Sequence, residues 1–327
     1  MRRLAGVSPV TAASRALAVA ALVALVGLLP WLSGNDPALT ILRATSAERE
    51  ATPEVLAAIR ERLGLDQGPV GTIGHWLAGL ARGDLGTSWI SGDPVGTGTL
   101  EAFGVSLTLM GAALGVGLVT AVLLAAPTLR DALTGRRRAR GGAVAAALTS
   151  LPEYLLAPVL LLLMSVYAGW LPPYGWGDLS RLVLPALSLG LPAGGLLGGL
   201  VSDAVSAVAA EKWVASWATA GVRGLPLALA VLRRALTPLT GQVALVVVGL
   251  TGGAVAVEKV FAVPGLGRAL LGSATAQDVP ALQAGVILLL ALALGAGALA
   301  ALTRRILLGR ADGAGGIAAA PAVGHSG

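Results

Sequence analysis

The few residues of this 327-residue chain that could do chemistry do not form a catalytic site. The chain has no cysteine and only two histidines, His75 and His325, which lie far apart in the sequence. Its two lysines, Lys212 and Lys259, are followed by Trp and Val, so no G-x-x-x-x-G-K-[ST] loop can cradle ATP phosphates. Thiolate chemistry and a nucleophile–base pair are also absent. We therefore expect no catalytic residue, no metal and no cofactor bound by this chain.

One carboxylate falls inside a long apolar stretch. Glu153 lies between Pro152 and Tyr154, about ten residues into the segment 143–168. At about 1.5 Å per residue it would reach the middle of a bilayer, where ionisable residues are usually functional. Glu153 and Tyr154 would then line a translocation path and meet a cationic or amine-bearing substrate. Alternatively the helix starts later, with Pro152 in its first turn and Glu153 near its positive end.

A polar segment, 252–285, separates two long apolar segments and differs from both. Its sequence alternates charged and turn-forming residues with apolar ones, which neither a buried core nor a flexible linker requires. We predict a folded cap at a membrane surface, with a Pro-Gly turn and with Glu258 and Lys259 paired or solvated. The candidate residues of this cap are Glu258, Pro264, Gly265, Gly267 and Arg268.

The composition indicates an all-α membrane protein. The chain is 55% hydrophobic and 12% charged, with a mean hydropathy of +0.81, whereas soluble domains carry about 25% charged residues. The net charge of +6 does not indicate nucleic-acid binding, because the basic residues lie in short loops between apolar runs. The sequence predicts six spans, of which the fourth should pack inside the bundle: 14–33, 104–127, 143–168, 182–202, 239–257 and 281–303.

The distribution of basic residues predicts the orientation. Fifteen Lys and Arg residues lie in the segments on the side of the N-terminus, against three in the two short loops on the other side. This asymmetry predicts cytoplasmic termini. The first span could be a cleaved signal peptide, but its long apolar core and the lack of an A-x-A site favour a retained helix. The segments 34–103 and 252–285 are then external.

The external loop 34–103 should contain helices. Thr52 and Pro53 are typical of a helix start and Gly64 of its end, while a second amphipathic piece runs near Ile73–Leu80. Such a loop is either a solvated acidic surface or a docking surface for a soluble external partner.

The predicted cytoplasmic loop 203–238 should also be helical. Trp213 and Trp217 lie four residues apart, and Gly221, Gly224 and Pro226 break the helix before a second segment ending in Arg233 and Arg234. The short helix would either insert into a groove on a partner protein or rest on lipid headgroups.

Taken in order, several segments resemble the permease subunits of dipeptide, oligopeptide and nickel ABC importers, of the type with a large first external loop. The resemblance covers residues 35–302. Its segments are NDPA at 35–38, IRERLGLDQ at 59–67, GDLGTSW at 83–89, LPEYLLA at 151–157, LVLPALSLGLP at 182–192, and GGAVAVEKVFAVPGLGRALL through DVPALQAG at 252–285.

The resemblance implies a type I ABC importer permease fold of about six transmembrane helices. It also implies that loop 203–238 docks on an ATPase subunit. Two alignments place this loop on the family's docking motif. One uses Trp213-Val214 with Gly221, and the other uses Thr219-Ala220 with Gly224-Leu225. The implied coupling residues are Glu211, Trp213, Val214, Ala220, Gly221, Gly224, Arg233 and Arg234.

The expected assembly holds this chain, a second related permease, two ATPase subunits that bind ATP, and an extracytoplasmic substrate-binding protein. The substrate would be a peptide, nickel or a metal chelate, and the competing class is a secondary transporter or channel that works alone. The expected organisation is an N-terminus and first span at 1–33, an external loop at 34–103, a permease core at 104–310 and a disordered cytoplasmic tail at 311–327.

Overall fold

The computed structural model describes residues 36–45, 50–134 and 142–314, together with isolated positions between 17 and 32. The described residues are almost entirely helical, and the one β-bridge, between Thr87 and Pro94, is isolated. Among the described residues, four helical segments are long and apolar enough to span a membrane, or five if a bent pair counts as one span. Much of the predicted first span, 14–33, lies outside the described residues, so that span stays a prediction.

Three short helices fill the predicted external loop: α1 (Pro37–Thr45), α2 (Pro53–Leu63) and α3 (Gly68–Leu80). The predicted limits of α2 are confirmed. The Thr52 hydroxyl accepts a hydrogen bond from the Val55 N–H at 3.4 Å, and Gly64 ends the helix in the left-handed conformation, at φ +67°.

The helix that holds the second predicted span is longer than that span. Helix α4 (Val95–Leu133) begins at Val95, before the predicted start of the span at residue 104. The Thr99 hydroxyl donates to the Val95 carbonyl at 2.8 Å within the first turns. Polar residues extend a helix beyond its apolar part, and hydropathy alone does not detect that extension.

The predicted span 143–168 is not one straight helix but a bent pair. Helix α5 (Gly142–Thr149) and helix α6 (Glu153–Leu160, continued by a π-helical stretch at Leu161–Tyr167) meet at an angle of 91°. Pro152 lies at the break, where its ring and missing N–H prevent the helix from continuing.

Helix α7 (Leu179–Ala209) is the most buried of the candidate spans, as its small residues predict. A Cβ built on Gly190 would lie 2.5 Å from the Ala113 carbonyl oxygen, and one on Gly194 would lie 2.5 Å from Thr120 Cβ. These glycines let α7 approach α4 closely, which is how membrane helices pack without a hydrophobic drive.

The remaining helices continue to the end of the described chain. They are α8 (Lys212–Thr219), α9 (Leu225–Leu236), α10 (Thr240–Val260), α11 (Leu266–Thr275) and α12 (Val279–Ala314). A 3-10 turn at Thr237–Leu239 joins α9 to α10, giving one 36-residue candidate span. Helix α9 therefore runs directly into α10. Helix α12 continues past residue 311, where the tail was predicted to start, and residues 315–327 lie outside the described part.

The chain divides into two compact units. One contains the described parts of 1–109, 172–181 and 254–292, and the other those of 110–171, 182–253 and 293–327. The first has a small buried cluster of Ile41, Trp89 and Val279. The second has a larger one that holds α8 and α9: Val205, Val208, Val214, Leu227, Val231 and Ala235.

Candidate functional site

A buried carboxylate organises the predicted cap in the first unit. Glu258, near the end of α10, is fully buried. Its Oε1 accepts a hydrogen bond from the Ser106 hydroxyl at 2.5 Å, and its Oε2 accepts one from the Arg268 N–H at 2.9 Å. Ser106 Oγ in turn accepts the Leu266 N–H at 2.8 Å. One side chain thus connects α10 to α4 and to the start of α11.

This burial corrects the prediction for the charged pair. Glu258 is neither solvated nor paired with Lys259, which is exposed. Burying a carboxylate is unfavourable unless hydrogen bonds replace its water, and the Ser106 hydroxyl and the N–H groups at the start of α11 provide them. Within the described residues the cap is therefore a packed structure with a polar centre.

The two motif glycines are needed for close packing rather than for a turn. Gly265 has φ −90°, which any residue can adopt, so the predicted Pro-Gly turn is wrong. A Cβ on Gly265 would lie 2.5 Å from Glu258 Oε2, and one on Gly267 would lie 2.8 Å from Val255 Cα. The chain reverses instead at Ala262, which has φ +54° and is followed by the Val263 N–H bonding to the Glu258 carbonyl at 2.9 Å.

A second polar junction in the first unit was not predicted. Asp278, before α12, is buried and accepts hydrogen bonds from the Ser88 hydroxyl and, at 3.1 Å, from the Trp89 N–H. It connects the GDLGTSW and DVPALQAG segments, which lie about 190 residues apart. No local pattern indicates such a contact, although both segments belong to the resemblance.

In the second unit, Glu153 is the first residue of α6, with Pro152 as its N-cap residue. The helix that carries Glu153 therefore starts later than residue 143, with Pro152 just before its first turn rather than within it. The half-buried carboxylate lies against α10, because a Cβ on Gly253 would lie 2.5 Å from Glu153 Oε1. Tyr154 is 58% exposed. A position on a translocation path stays a prediction for both residues.

Glu211 fixes the geometry of the predicted coupling loop. Its two carboxylate oxygens accept hydrogen bonds from Arg234 Nε at 2.9 and 2.8 Å, and Oε2 also accepts one from Trp213 Nε1 at 2.7 Å. The hydrogen bond from Arg234 lowers the pKa of the Glu211 carboxyl below its usual value. The Trp213 and Trp217 rings meet edge to face, with centroids 5.3 Å apart. This arrangement ties α8 to α9.

Helix α8 ends in a complete Schellman motif. Gly221 adopts φ +86°, the Val222 N–H bonds to the Trp217 carbonyl at 2.9 Å, and the Gly221 N–H bonds to the Ala218 carbonyl at 3.3 Å. Gly224, at φ +69°, precedes α9 instead. Gly221 therefore closes the helix that carries Trp213 and Val214.

The exposed side of α8 faces an open cavity. Val214 is buried in the cluster under the helix, whereas Trp217 and Ala220 are exposed. A cavity of about 1240 Å³ is lined by Trp213, Trp217, Arg233 and Arg234 among others. In the described part of the chain, no group of three or more His, Asp or Glu side chains is arranged to hold a metal ion.

Comparison with known proteins identifies the family. Residues 117–311 match the family described as binding-protein-dependent transport system inner membrane component. The chain is 33% identical to the glutathione transport system permease protein of Salmonella typhimurium over 292 residues, 88% of this chain and 90% of that protein. It is 33% identical to the corresponding Pectobacterium atrosepticum protein over 267 residues, 81% and 85% of the two chains.

A third relative is named as a peptide transport system permease protein of Brucella abortus. It is 31% identical over 292 residues, 84% of this chain and 89% of that protein. The predicted all-α permease fold is confirmed. The chain belongs to the family of binding-protein-dependent transport system inner membrane components: it is a transmembrane permease subunit of a peptide-type ABC importer, not an enzyme, and ATP is hydrolysed on other subunits.

Proposed function

We propose that this chain forms half of the translocation path of an importer for short peptides and takes its energy from ATPase subunits through loop 203–238. Relatives that share about a third of its residues are named for glutathione, a tripeptide, and for peptides. No comparable finding favours nickel or a metal chelate. The competing class, a transporter that works alone, would need no docking helix.

Helix α8 is the observation that carries this proposal. Val214 and the Glu211–Arg234 pair hold its inner side, while Trp217 on its outer side is 43% exposed beside a large cavity. A large aromatic residue on a fixed helix is a typical anchor for a partner protein. The Schellman motif at Gly221 supports the alignment in which Trp213-Val214 and Gly221 take the motif positions.

The partners and the orientation follow from the same proposal. Both termini are cytoplasmic, so that α8 faces one of the two ATPase subunits and the cap with Glu258 faces outward. A second, different permease chain completes the path, and a substrate-binding protein meets the segment that holds α1 to α3. This chain holds no cofactor, and ATP binds only to the partner subunits.

Substitution of Trp217 tests the coupling role. In the complete importer, Trp217→Ala should reduce peptide uptake and recovery of the ATPase subunits with the tagged chain, because the exposed anchor is lost. Trp170→Ala is the matched control, since Trp170 is 74% exposed and lies outside the loop. Normal uptake and normal recovery for Trp217→Ala would contradict the proposal, and uptake without any ATPase subunit would favour the competing class.

A second experiment tests the path and the substrate. Glu153→Gln should reduce uptake of peptides with a free amine or a basic side chain, because a carboxylate attracts them and an amide does not. Glu54→Gln is the matched control: Glu54 also follows a proline in the first turn of a helix, but it is exposed in α2. Uptake of labelled dipeptides, tripeptides and nickel should be compared. Equal uptake for both variants would remove Glu153 from the path.

A further inference from the structure

A cavity of about 520 Å³ lies within the first unit, separate from the Glu258 cluster. Its walls come from the end of α2, one side of α3, the turn 82–92 and the first turns of α12. This volume falls in the range of small-molecule sites, about 300–1,000 Å³. The groups that line the cavity indicate the class of ligand that it suits.

The buried part of the cavity lining combines two indole rings with the amide of Gln283. Trp76 and Trp89 are buried, at 7% and 9% exposure, and Trp76 Nε1 already donates to the Leu85 carbonyl at 3.3 Å. Gln283 is only 2% exposed, yet among the described residues its side-chain amide has no hydrogen-bond partner. The Gln283 amide lines the cavity and is therefore available to bond with water or with a ligand there.

The rim carries charges of both signs. Arg62, His75 and Arg82 lie beside Glu61 and Asp84, and all five are exposed. Neither arginine forms an ion pair within the described part of the chain. Arginine is suited to a carboxylate, because its planar fork can donate two parallel hydrogen bonds.

We propose that this cavity binds a short peptide with a free carboxyl terminus. Arg62 and Arg82 take the carboxylate, the Gln283 amide pairs with a backbone amide of the ligand, and Trp76 and Trp89 pack against its side chains. Glu61 is placed for the free amine. This proposal rests on the proposed function, because it assigns the importer's own class of cargo to a second site outside the path.

The test measures binding of tri-alanine to the full-length chain, assembled with its partner subunits in lipid nanodiscs, by calorimetry. Binding should be saturable, and Arg82→Gln should weaken it by about tenfold or more, because the carboxylate loses a hydrogen bond from a charged group. Gln283→Leu should also weaken it without unfolding the chain, since an apolar residue of similar size replaces an unpaired amide. The matched control is Arg43→Gln, an exposed arginine on α1 outside the cavity.

A peptide with a blocked carboxyl terminus tests whether Arg82 contacts the carboxylate. Tri-alanine amide, which lacks the carboxylate, should bind the unchanged chain about tenfold more weakly, and this difference should shrink in Arg82→Gln, where only Arg62 is left to bind the carboxylate. Absence of saturable binding in an assembly that still holds its ATPase subunits would overturn this proposal and leave the proposed function intact. Equal losses in Arg43→Gln would also overturn it. The proposal would also be overturned if Arg82→Gln and Gln283→Leu bind peptide normally but no longer bind the substrate-binding protein. The cavity would then be a docking site for that protein.

Discussion

Replacing Gly265 with alanine tests whether the family's cap motif exists to pack against Glu258. The backbone at Gly265, with φ −90° and ψ 173°, suits alanine, so the substitution introduces no backbone strain. Its methyl group would instead overlap the Glu258 carboxylate, whose Oε2 lies 2.5 Å from the Cβ position. Any destabilisation therefore reports this one contact.

The magnitude follows from two contributions. Forcing a methyl group into a packed site costs about 1–3 kcal/mol. Moving the carboxylate also breaks at least one of its hydrogen bonds to Ser106 and the Arg268 N–H, worth about 1–3 kcal/mol. We expect the free energy of unfolding to fall by about 3 kcal/mol or more. In a Glu258→Ala background the added methyl group has room, and its effect should fall below about 1 kcal/mol.

The measurement is detergent-induced unfolding of the four chains of this double-mutant cycle, in mixed micelles. Gly272→Ala is the matched control, because Gly272 lies in the same helix and a Cβ there meets nothing within 4 Å. It should leave stability unchanged or raise it by up to about 1 kcal/mol, since alanine favours helix. If Gly265→Ala is equally destabilising with and without the Glu258 side chain, the packing argument is wrong.

Three further predictions concern the turns and the coupling loop. Ala262→Gly should stabilise the chain by about 0.5–1 kcal/mol in the same unfolding assay, because glycine removes the cost of a left-handed alanine; a loss of stability would contradict the φ of +54°. Gly221→Ala should loosen the end of α8 by about 1–2 kcal/mol and lower recovery of ATPase subunits, whereas normal recovery would argue against the Schellman motif. The folded-state pKa of Glu211 lies below its usual 4.5, so its contact with Arg234 is complete above that value and is lost as the pH falls through the folded pKa. Proteolysis of the loop should therefore increase only in acid, and the increase should be absent in Glu211→Gln.

Local signals predicted the parts of the fold that depend on local chemistry. The limits of α2 follow from Thr52 and Gly64, because a cap hydroxyl and a left-handed glycine satisfy backbone groups that lie within a few residues. The close packing of α7 follows from its glycines, which have no other use in a membrane helix. In α2 the capping residues and the backbone groups that they bind lie within a few residues of each other. In α7 the small size of glycine is itself the reason for the close packing.

Long-range contacts explain the predictions that were wrong. Glu258 beside Lys259 has the pattern of a solvated charged pair, and its burial depends on Ser106, 152 residues away, together with the N–H groups at the start of α11. Gly265 after proline has the pattern of a turn, although its actual role is to leave space for Glu258. The break before α6 was visible as Pro152, but the hydropathy of segment 143–168 is continuous and conceals it.

The segments that carry the resemblance are joined to one another. Ser88 and Trp89 of GDLGTSW bind Asp278 of DVPALQAG, while Glu258 of the cap motif accepts hydrogen bonds from Ser106 and from the Arg268 N–H and packs against Gly265. These residues are therefore used by internal hydrogen bonds and close packing. Gln283 of the same DVPALQAG segment and Arg62 of IRERLGLDQ instead line the cavity of the first unit. Some residues of a family segment thus hold the fold together, while others of the same segment stay free to contact a ligand.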